Sequence, residues 1–324
     1  MSQAQLGVDI GNRAVHVVLW DGKQIKKSVT EPLPEGLVRD GRIISAAAMT
    51  EFFKTLRKNH RLPGGHVSLV LHSGECFCRR FDVPAMSHSQ LKVNLSYEFR
   101  DFITQEKEKY FYDYAVLQQL EEGAKLDLMA AAVAKETIAG YDDLLRRAGF
   151  RLRVAIPEEM AYTNLMDRFQ GEGSGGSSCL LDLGHAAVSL HMFRDGRHQS
   201  GRNLDYGCSA LDDAIAEHFH VAPYVACTYR ETNYEGCQDL EACKEIYSHM
   251  ALEVLKAVNY YNYSNAEQPV EWICCWGGGL HMEPLMETLR EALPVPVEGW
   301  KALLPGLEQE ASSLLALGAA LQKE

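Results

Sequence analysis

Hydrophobic and polar residues alternate in the first part of the chain in the way expected for strands with one buried face. Residues 6–20 follow this pattern, and a hairpin turn at Asp21-Gly22 leads into a second strand. A third strand is predicted within 36–45, around another Asp-Gly turn. Apolar residues at helical spacing follow over 45–60, and a further strand begins at His66. The chain therefore begins in the order β-β-β-α-β.

The pattern changes between Phe77 and about Phe150. A long helical stretch is predicted over 87–105, two strands follow around a Glu-Gly turn, and a closing helix ends at Gly149. These elements predict a compact α+β domain at 76–150, inserted into a first lobe that consists of 1–75 and 151–172.

A second β-β-β pattern appears after the Gly- and Ser-rich segment 171–178, whose composition predicts a flexible hinge or loop. Its strands turn at Asp195-Gly196 and near Gly201. After them we predict a buried-type strand that ends at Trp276, and helices at 208–220, 222–232, 238–263, 283–292 and 307–322. These elements predict a second lobe at 177–324, with a helical subdomain at about 205–266.

Charge and composition narrow the classes of function. The net charge is −12 and the basic residues are scattered along the chain, which argues against a nucleic-acid footprint and against a polybasic membrane anchor. No signal peptide or membrane-spanning pattern is readable, so we expect a cytoplasmic protein. Nine cysteines without paired metal spacing, including Cys76-x-Cys78 and Cys274-Cys275, predict buried, reduced thiols.

Each half of the chain begins with the same strand, Asp-x-Gly, strand pattern. The two copies are Val8-Asp9-Ile10-Gly11 and Leu181-Asp182-Leu183-Gly184. Glycine lets a backbone turn approach phosphate oxygens, and an aspartate at a strand end can hold a hydrated divalent cation. A single copy would be an ordinary turn in most proteins, whereas two copies that face each other would hold a triphosphate from both sides.

Three further elements accompany the two turns. Gly277-Gly278-Gly279 follows a buried-type strand, where it either lets a purine or ribose lie against the backbone or forms a tight strand-to-helix turn. The helix at 157–166 begins with Glu158-Glu159, a pair that either touches a metal-bound water or stabilises the helix start. The helix at 311–322 carries small residues that permit a close helix crossing between the lobes, namely Ala311, Ala316, Gly318 and Ala319.

In this order, the five elements resemble those of the actin-like ATPase superfamily. The resemblance implies an α/β, actin-like fold, that is, a duplicated ribonuclease H-like fold of two lobes, here with an inserted small α+β domain. It implies ATP or ADP with Mg²⁺ as the cofactor and metal contacts from Asp9 and Asp182. It implies nucleotide contacts from Asp9, Gly11, Asn12, Asp182, Gly184, Arg230, Gly277, Gly278 and Gly279.

The place of the insert resembles the arrangement in the division protein FtsA and in the family of the type IV pilus assembly protein PilM. The segments 31–45, 82–103 and 113–118 resemble PilM segments. This resemblance implies a cytoplasmic scaffold at the inner face of the membrane, in a type IV pilus or related secretion machine. Its insert and the neighbouring groove would bind the cytoplasmic tail of a PilN-like inner-membrane protein.

No nucleic-acid partner is implied, and membrane contact would be indirect, through this partner. Self-association is a further expectation, since the tyrosine-rich run at 258–269 is either a contact surface or the cover of a helix end. The alternatives are an FtsA-like division protein and an active ATPase or kinase of the same fold. An FtsA-like protein would be expected to carry a C-terminal amphipathic membrane helix, and the sequence ends at Glu324 directly after the last predicted helix.

Several positions depart from the family pattern. Asn12 and His16 stand where a serine and a lysine are usual, and His185-Ala186-Ala187 replaces hydroxyl residues after the second turn. Cys227 replaces a glutamate, while Arg230 keeps a positive charge. Hydrolysis needs a polar group that orients the attacking water, and no residue is identified for this role. We therefore predict no catalytic residue, and nucleotide binding with weak or absent ATPase activity.

Overall fold

The structure is a computed structural model that describes residues 5–39, 41–103, 106–169, 176–302, 304 and 313–322. The chain divides into two compact units. The first unit comprises Met1–Leu165 and Gln309–Glu324, and the second comprises Met166–Glu308.

The helices and strands of the described residues alternate along the chain. The strands are β1 (Gln5–Ile10), β2 (Ala14–Trp20), β3 (Ile25–Pro32), β4 (Val38–Arg39), β5 (Arg42–Ile43), β6 (Gly65–Leu71), β7 (Cys76–Pro84), β8 (Tyr110–Leu120), β9 (Lys125–Ala134), β10 (Phe150–Pro157), β11 (Ser177–Leu183), β12 (Val188–Arg194), β13 (Arg197–Leu204), β14 (Val270–Trp276) and β15 (Val297–Gly299). The helices are α1 (Ala46–Asn59), α2 (His88–Glu98), α3 (Lys135–Arg147), α4 (Glu158–Phe169), α5 (Ser209–Phe219), α6 (Pro223–Thr232), α7 (Glu241–Ser264), α8 (Glu283–Ala292) and α9 (Leu314–Ala320).

The first unit is built on a five-stranded sheet in the order β10-β6-β1-β2-β3. β1, β2 and β3 are antiparallel neighbours, whereas β6 and β10 run parallel to β1. Leu6, Val8 and Ile10 of β1 belong to the core that α1 and α3 share with the sheet. Gly7 lies on the opposite face, where an added Cβ would meet the backbone of α9 at Ala316. Helices therefore cover both faces of β1, which explains why the strand is apolar along its length.

The insert between β6 and α3 is a three-stranded antiparallel sheet in the order β7-β9-β8. α2 begins at the capping box of Ser87 and Gln90 and packs on one face of this sheet. On β7, the guanidinium group of Arg80 donates to the buried carboxylate of Asp127 on β9. The insert has hydrophobic clusters of its own, which include Leu91, Leu95 and Leu128.

The second unit repeats the sheet of the first unit, in the order β13-β12-β11-β14-β15. β11, β12 and β13 are antiparallel, and β14 and β15 run parallel to β11. Its hydrophobic core unites this sheet with α5, α6, α7 and α8, through residues such as Leu181, Leu211 and Val254. The duplication that the two Asp-x-Gly copies predicted is thus present in the strand order itself.

The structure corrects several predicted elements. Residues 6–20 form the hairpin of β1 and β2 instead of one strand, because the chain reverses at Gly11–Arg13. The predicted strand within 36–45 is a small hairpin of β4 and β5, a sheet of its own. The helix predicted at 87–105 ends at Glu98, where the chain turns and buries Phe99 and Ile103 in the core of the insert.

Two helices belong to other parts of the fold than the predicted domain limits imply. α3, which was predicted as part of the insert at 76–150, packs against α1 and β10 and places Tyr141, Leu144 and Leu145 in the core of the first sheet. α9, which was predicted as part of the second lobe at 177–324, packs on β1, β2 and β6 of the first unit. In both helices an apolar face is buried by the first sheet, and burial decides the placement.

Other predictions are met or fall on residues that are not described. The helices at 45–60, 208–220, 222–232 and 283–292 form as α1, α5, α6 and α8, with small differences at their ends. Residues 171–175 of the predicted hinge and 307–312 of the predicted last helix lie outside the described residues. All nine cysteines are free thiols, as predicted. Among the described residues, no helix is both long and apolar enough to cross a bilayer.

Candidate functional site

The first Asp-x-Gly turn joins β1 to β2. Gly11 closes the turn by donating its N–H to the carbonyl oxygen of Ala14 at 3.0 Å. Asn12 Oδ1 accepts a hydrogen bond from the N–H of Gly41 at 2.9 Å and so attaches the β4–β5 hairpin to the turn. Asp9, near the end of β1, is almost fully buried.

Both carboxylate oxygens of Asp9 accept hydrogen bonds. His72 Nε2 lies 2.9 Å from Oδ1, and the hydroxyl of Ser313 donates to Oδ2 at 2.7 Å. Ser313 is also the N-cap of α9, since its Oγ accepts the N–H of Ala316 at 3.1 Å. The first turn is therefore tied to the end of β6 and to the start of α9.

His72 also reaches a second carboxylate, because its Nδ1 lies 3.2 Å from Glu158 Oε2. Burial would lower the pKa of His72, but the hydrogen bonds and negative charges of Asp9 and Glu158 outweigh it and raise this pKa well above the ordinary value. Burial would raise the pKa of Asp9, but His72, His16 and Ser313 together lower it. The arrangement is a half-buried imidazolium held by two buried carboxylates.

The topology explains why these three side chains meet. β1, β6 and β10 are parallel neighbours. Asp9 lies near the carboxyl end of β1, His72 follows the last residue of β6, and Glu158 follows the last residue of β10. In open α/β sheets, ligands bind at the carboxyl ends of parallel strands, so this edge is a natural place for a functional site.

More ionisable groups continue the cluster toward the base of the insert. Tyr141 donates its hydroxyl to Glu75, and Glu75 accepts the backbone N–H of His72. Burial, with the charge of Glu158, raises the pKa of Glu159 to about 7. Burial, with nearby glutamates, also raises the pKa of the Cys76 and Cys78 thiols. The raised pKa values favour the protonated form of these two thiols.

Asp9 does not fit a direct magnesium ligand in this arrangement. Mg²⁺ needs carboxylate oxygens that are open to the ion and to its waters, and both Asp9 oxygens already accept hydrogen bonds in a buried position beside an imidazolium. Over the described parts of the chain, no three side chains of His, Cys, Asp or Glu are grouped in a way that could hold a metal ion. In this arrangement His72 and Ser313, which are side chains of the protein itself, hold Asp9 beside the first turn.

The second Asp-x-Gly turn joins β11 to β12 and packs against the start of α5. The carbonyl oxygens of Gly184 and His185 accept the N–H groups of Cys208 and Ser209 at 3.0 and 2.9 Å. An added Cβ on Gly207 would lie 2.6 Å from both carbonyl oxygens. The turn can approach the helix this closely only because residue 207 has no side chain.

The glycine triplet lies beside Asp182, because β14 runs parallel to β11 with Trp276 opposite Asp182. Gly277 has a φ of +90°, and an added Cβ would lie 2.5 Å from Asp182 Oδ1. Gly279 is buried against Leu183, while nothing lies within 4 Å of an added Cβ on Gly278. The structure thus brings Asp182, Gly184 and Gly277–Gly279 together. Asp182 is half-buried, which suits a water-mediated cation contact better than the position of Asp9 does.

Arg230 is committed to another contact. It is buried, and its Nε donates to Asp212 Oδ1 at 2.6 Å. Its Nη2 lies 3.5 Å from the Sγ of Cys227, the residue that stands where a glutamate was expected. His185 Nδ1 lies 3.5 Å from Asp212 Oδ2. Arg230 is linked to the second turn through Asp212 and His185.

Sequence reasoning missed His72 and Ser313, which hold Asp9. His72 and Glu158 directly follow two strands, so a comparison of the residues at strand ends could have identified them. Ser313 had no comparable signal, because its contact with Asp9 spans nearly the whole chain. The expectation that the two turns face each other, and the nucleotide contacts of the individual residues, stay predictions.

Comparisons with known proteins identify the family to which the chain belongs. The family model described as type IV pilus assembly protein PilM matches residues 7–300. A solved structure described as a PilM-PilN type IV pilus biogenesis complex is similar at a TM-score of 0.84 and 24% identity, over 99% of this chain and 98% of that chain. The ethanolamine utilization protein EutJ from Carboxydothermus hydrogenoformans is similar at a TM-score of 0.63 and 13% identity, over 98% and 89%.

No curated protein shows significant sequence similarity to the chain. The structural likenesses and the repeated sheet order together confirm the predicted fold class, a duplicated, actin-like α/β fold with an inserted small domain.

Proposed function

Since the chain belongs to the family of the type IV pilus assembly protein PilM, we propose that it is a nucleotide-binding scaffold at the inner face of the cell membrane. It binds the cytoplasmic tail of an inner-membrane assembly protein. The observation that carries the proposal is the family match over residues 7–300, which includes both Asp-x-Gly turns and the whole insert. This membership does not favour the FtsA-like alternative. The similar solved structure is a complex of PilM with PilN, so the partner that we propose is PilN-like.

The nucleotide is ATP or ADP with Mg²⁺, and the second turn is its main phosphate contact. Asp182 would orient water molecules of the Mg²⁺ shell, and the open space beside Gly278 leaves room for phosphate or ribose. The absent side chains of Gly184, Gly277 and Gly279 instead let the neighbouring backbone pack closely around Asp182 and Leu183. When bound, Mg²⁺ shields the negative charges of the phosphates. Asp9 keeps the first turn in place through His72 and Ser313, and the amide of Asn12 offers a donor to a phosphate oxygen.

Calorimetry of the full chain with ATP and Mg²⁺ tests this part of the proposal. Asp182→Ala is expected to weaken binding at least tenfold, about 1.4 kcal/mol, because the cation contact is lost. Asp9→Ala is also expected to weaken it, by releasing the first turn. Asp213→Ala removes the same charge from an exposed position on α5 and is the matched control. If the wild type binds no nucleotide, this part is wrong and the family membership stands.

Hydrolysis is expected to be slow. Cys227 and Ala186 offer no group that orients water, and Arg230 is held by Asp212. Steady-state ATP turnover separates a scaffold from an active ATPase or kinase. A turnover of about 1 per second or faster, together with no tail binding, would favour the enzyme.

The insert carries exposed apolar side chains that suit a tail-binding surface. Six large apolar residues of the insert are exposed to solvent: Phe77, Val93, Tyr97, Phe102, Phe111 and Val116. Phe111 and Val116 lie on β8, an edge strand of the insert sheet. An extended tail can pair with a strand edge and bury apolar side chains beside it.

A pull-down with a PilN-like tail peptide tests the tail site. Phe111→Ser with Val116→Ser is expected to abolish capture, because the apolar contacts are lost. Tyr260→Ser with Tyr263→Ser removes two exposed aromatic side chains from α7 and is the control. Loss of capture in the α7 variant alone would indicate that the tail binds the second unit. Retained capture in the β8 variant would show that the tail does not bind this edge of the insert.

A further inference from the structure

Two basic segments of the first unit lie side by side, although they are far apart in the sequence. Residues 57–66 and 146–153 contain seven arginines and lysines and no aspartate or glutamate. The seven are Arg57, Lys58, Arg61, Arg146, Arg147, Arg151 and Arg153. The whole chain has a net charge of −12, so the remainder carries −12 − 7 = −19. The fold therefore concentrates positive charge in one place on an acidic protein.

Strand pairing brings the two segments together. β10 pairs with β6 in parallel, with Phe150 opposite Gly65 and Arg151 opposite His66. The guanidinium group of Arg57 lies 5.6 Å from the centre of the Phe150 ring. Both segments lead into the amino ends of these strands, the edge of the sheet opposite to Asp9. We call this surface, formed by 57–66 and 146–153, the basic face.

Most of this charge is available to a partner. Lys58, Arg61 and Arg151 are exposed and form no ion pair within the described part of the chain. Arg146 and Arg147 both contact one carboxylate, that of Asp143, at 2.7 and 2.8 Å. A single acidic side chain cannot neutralise two arginines, so the basic face keeps a strong positive charge.

We propose that the basic face binds the anionic headgroups of the membrane surface, in addition to the contact that the tail partner provides. The choice of a membrane rests on the proposed function, which places the chain beside a membrane-anchored protein. A cluster of four to eight arginines and lysines is typical of surfaces that bind acidic phospholipids. In 57–66 and 146–153, all of which are described, no large apolar side chain is exposed. The contact is therefore electrostatic, at the level of the headgroups and without insertion.

A cavity of about 210 Å³ opens within the basic face and suits one headgroup phosphate. Gly64, Gly65, His66 and Arg153 contribute to its wall. Gly65 leaves its backbone accessible, since it has a φ of +141° with nothing within 4 Å of an added Cβ, whereas an added Cβ on Gly64 would lie 2.5 Å from the guanidinium group of Arg57. A guanidinium group beside bare backbone is a suitable environment for a phosphate group.

Vesicle flotation with the full chain and no partner tests the proposal. The probes are vesicles that contain phosphatidylglycerol and vesicles of phosphatidylcholine alone. The wild type is expected to bind the anionic vesicles at about 0.01 M salt and to be released at about 1 M, where the Debye length falls to roughly 3 Å. Each arginine or lysine at such a surface contributes about a fivefold gain in affinity.

The matched variants have the same change in net charge. Lys58→Gln with Arg61→Gln and Arg151→Gln is expected to weaken binding on the order of a hundredfold. Lys244→Gln with Lys256→Gln and Arg290→Gln removes three exposed charges from the second unit and is expected to change binding less than about threefold. Circular dichroism shows whether each variant is folded, and Lys58→Gln alone, at an exposed helix position, keeps the test informative if the triple variant unfolds.

Equal weakening by both triple variants, or no binding of the wild type to anionic vesicles, would overturn the proposal. Binding to double-stranded DNA that depends on the same residues and is tighter than binding to vesicles would assign the basic face to nucleic acid instead. Because no tail peptide is present, failure here leaves the tail pull-down intact. If the tail pull-down fails, the vesicle experiment still tests the basic face, because it does not require the tail.

Discussion

The Nε2 atom of His72 lies 2.9 Å from the Oδ1 atom of Asp9, and this contact joins the end of β6 to the end of β1. The other ring nitrogen of His72 faces Glu158. A histidine with carboxylate acceptors on both nitrogens is held in its protonated form. The charge of the His72 imidazolium is therefore balanced by the carboxylates of Asp9 and Glu158, and the contact fixes the position of Asp9 beside the first turn.

This contact predicts a pH-dependent stability. The folded-state pKa of His72 is raised, so its contribution is complete below the unfolded value of about 6.5 and is lost as the pH rises through the folded value. His72→Gln is expected to lower the free energy of unfolding by roughly 3 kcal/mol at pH 6, and by less at higher pH. Urea unfolding at several pH values measures the difference. His66→Gln, at an exposed position, is the control, and a pH-independent difference would contradict the prediction.

A substitution of Glu159 is expected to have the opposite effect on the free energy of unfolding. Burial and the charge of Glu158 raise the folded-state pKa of Glu159 from 4.5 to about 7, so ionisation costs the folded state stability as the pH rises through this window. Glu159→Gln is expected to raise the free energy of unfolding by roughly 1–3 kcal/mol above pH 7, and to change it little at pH 4. Glu136→Gln, at an exposed position of α3, serves as the control. A loss of stability above pH 7 in the Glu159 variant would show that ionised Glu159 stabilises the fold.

Gly277 and Gly278, which follow β14 beside Asp182, are a matched pair for substitution, because only one of them is closely surrounded. Gly277→Ala forces a side chain into a left-handed backbone and places a Cβ 2.5 Å from Asp182 Oδ1. We expect it to destabilise the second unit by about 1–3 kcal/mol and to weaken nucleotide binding, because Asp182 must move. Gly278→Ala, with open space around it, is expected to change both by less than about 0.5 kcal/mol. Thermal unfolding and calorimetry of both variants provide the measurement, and equal effects would refute the role of this close approach.

The crossing of α4 and α9 depends on a glycine. An added Cβ on Gly318 would lie 2.1 Å from the carbonyl oxygen of Ala161. Gly318→Ala is therefore expected to separate the helices and to cost roughly 2–4 kcal/mol in unfolding free energy. Gly140→Ala, on the exposed face of α3 with open space around it, is expected to stabilise the protein by about 0.5–1 kcal/mol. If both substitutions stabilise the chain, the helices do not cross as closely as the structure indicates.

Local patterns in the sequence predicted much of the fold, because alternation, helical spacing and turn residues act over a few neighbouring positions. The β2–β3 turn, α1, the β8–β9 hairpin and the repeated Asp-x-Gly pattern were all recognisable in this way. The C-terminal end of α2 and the placement of α3 and α9 were not. The end of α2 and the placement of the two other helices depend on which surface of the fold buries their apolar side chains. Phe99, Tyr141 and Gly318 pack against elements that lie outside their own helices.

For the candidate site, the sequence by itself determined that two Asp-x-Gly turns and a glycine triplet exist, because glycine requirements are local. Only the tertiary structure decided what surrounds them. It buried Asp9 between His72 and Ser313, and it committed Arg230 to Asp212. It also gathered arginines and lysines that look scattered in the sequence into the basic face. Parallel strand pairing brings His72 to Asp9 and forms the basic face, since it aligns the ends of strands that the sequence separates by many residues. Helix packing brings Ser313 to Asp9 and Arg230 to Asp212.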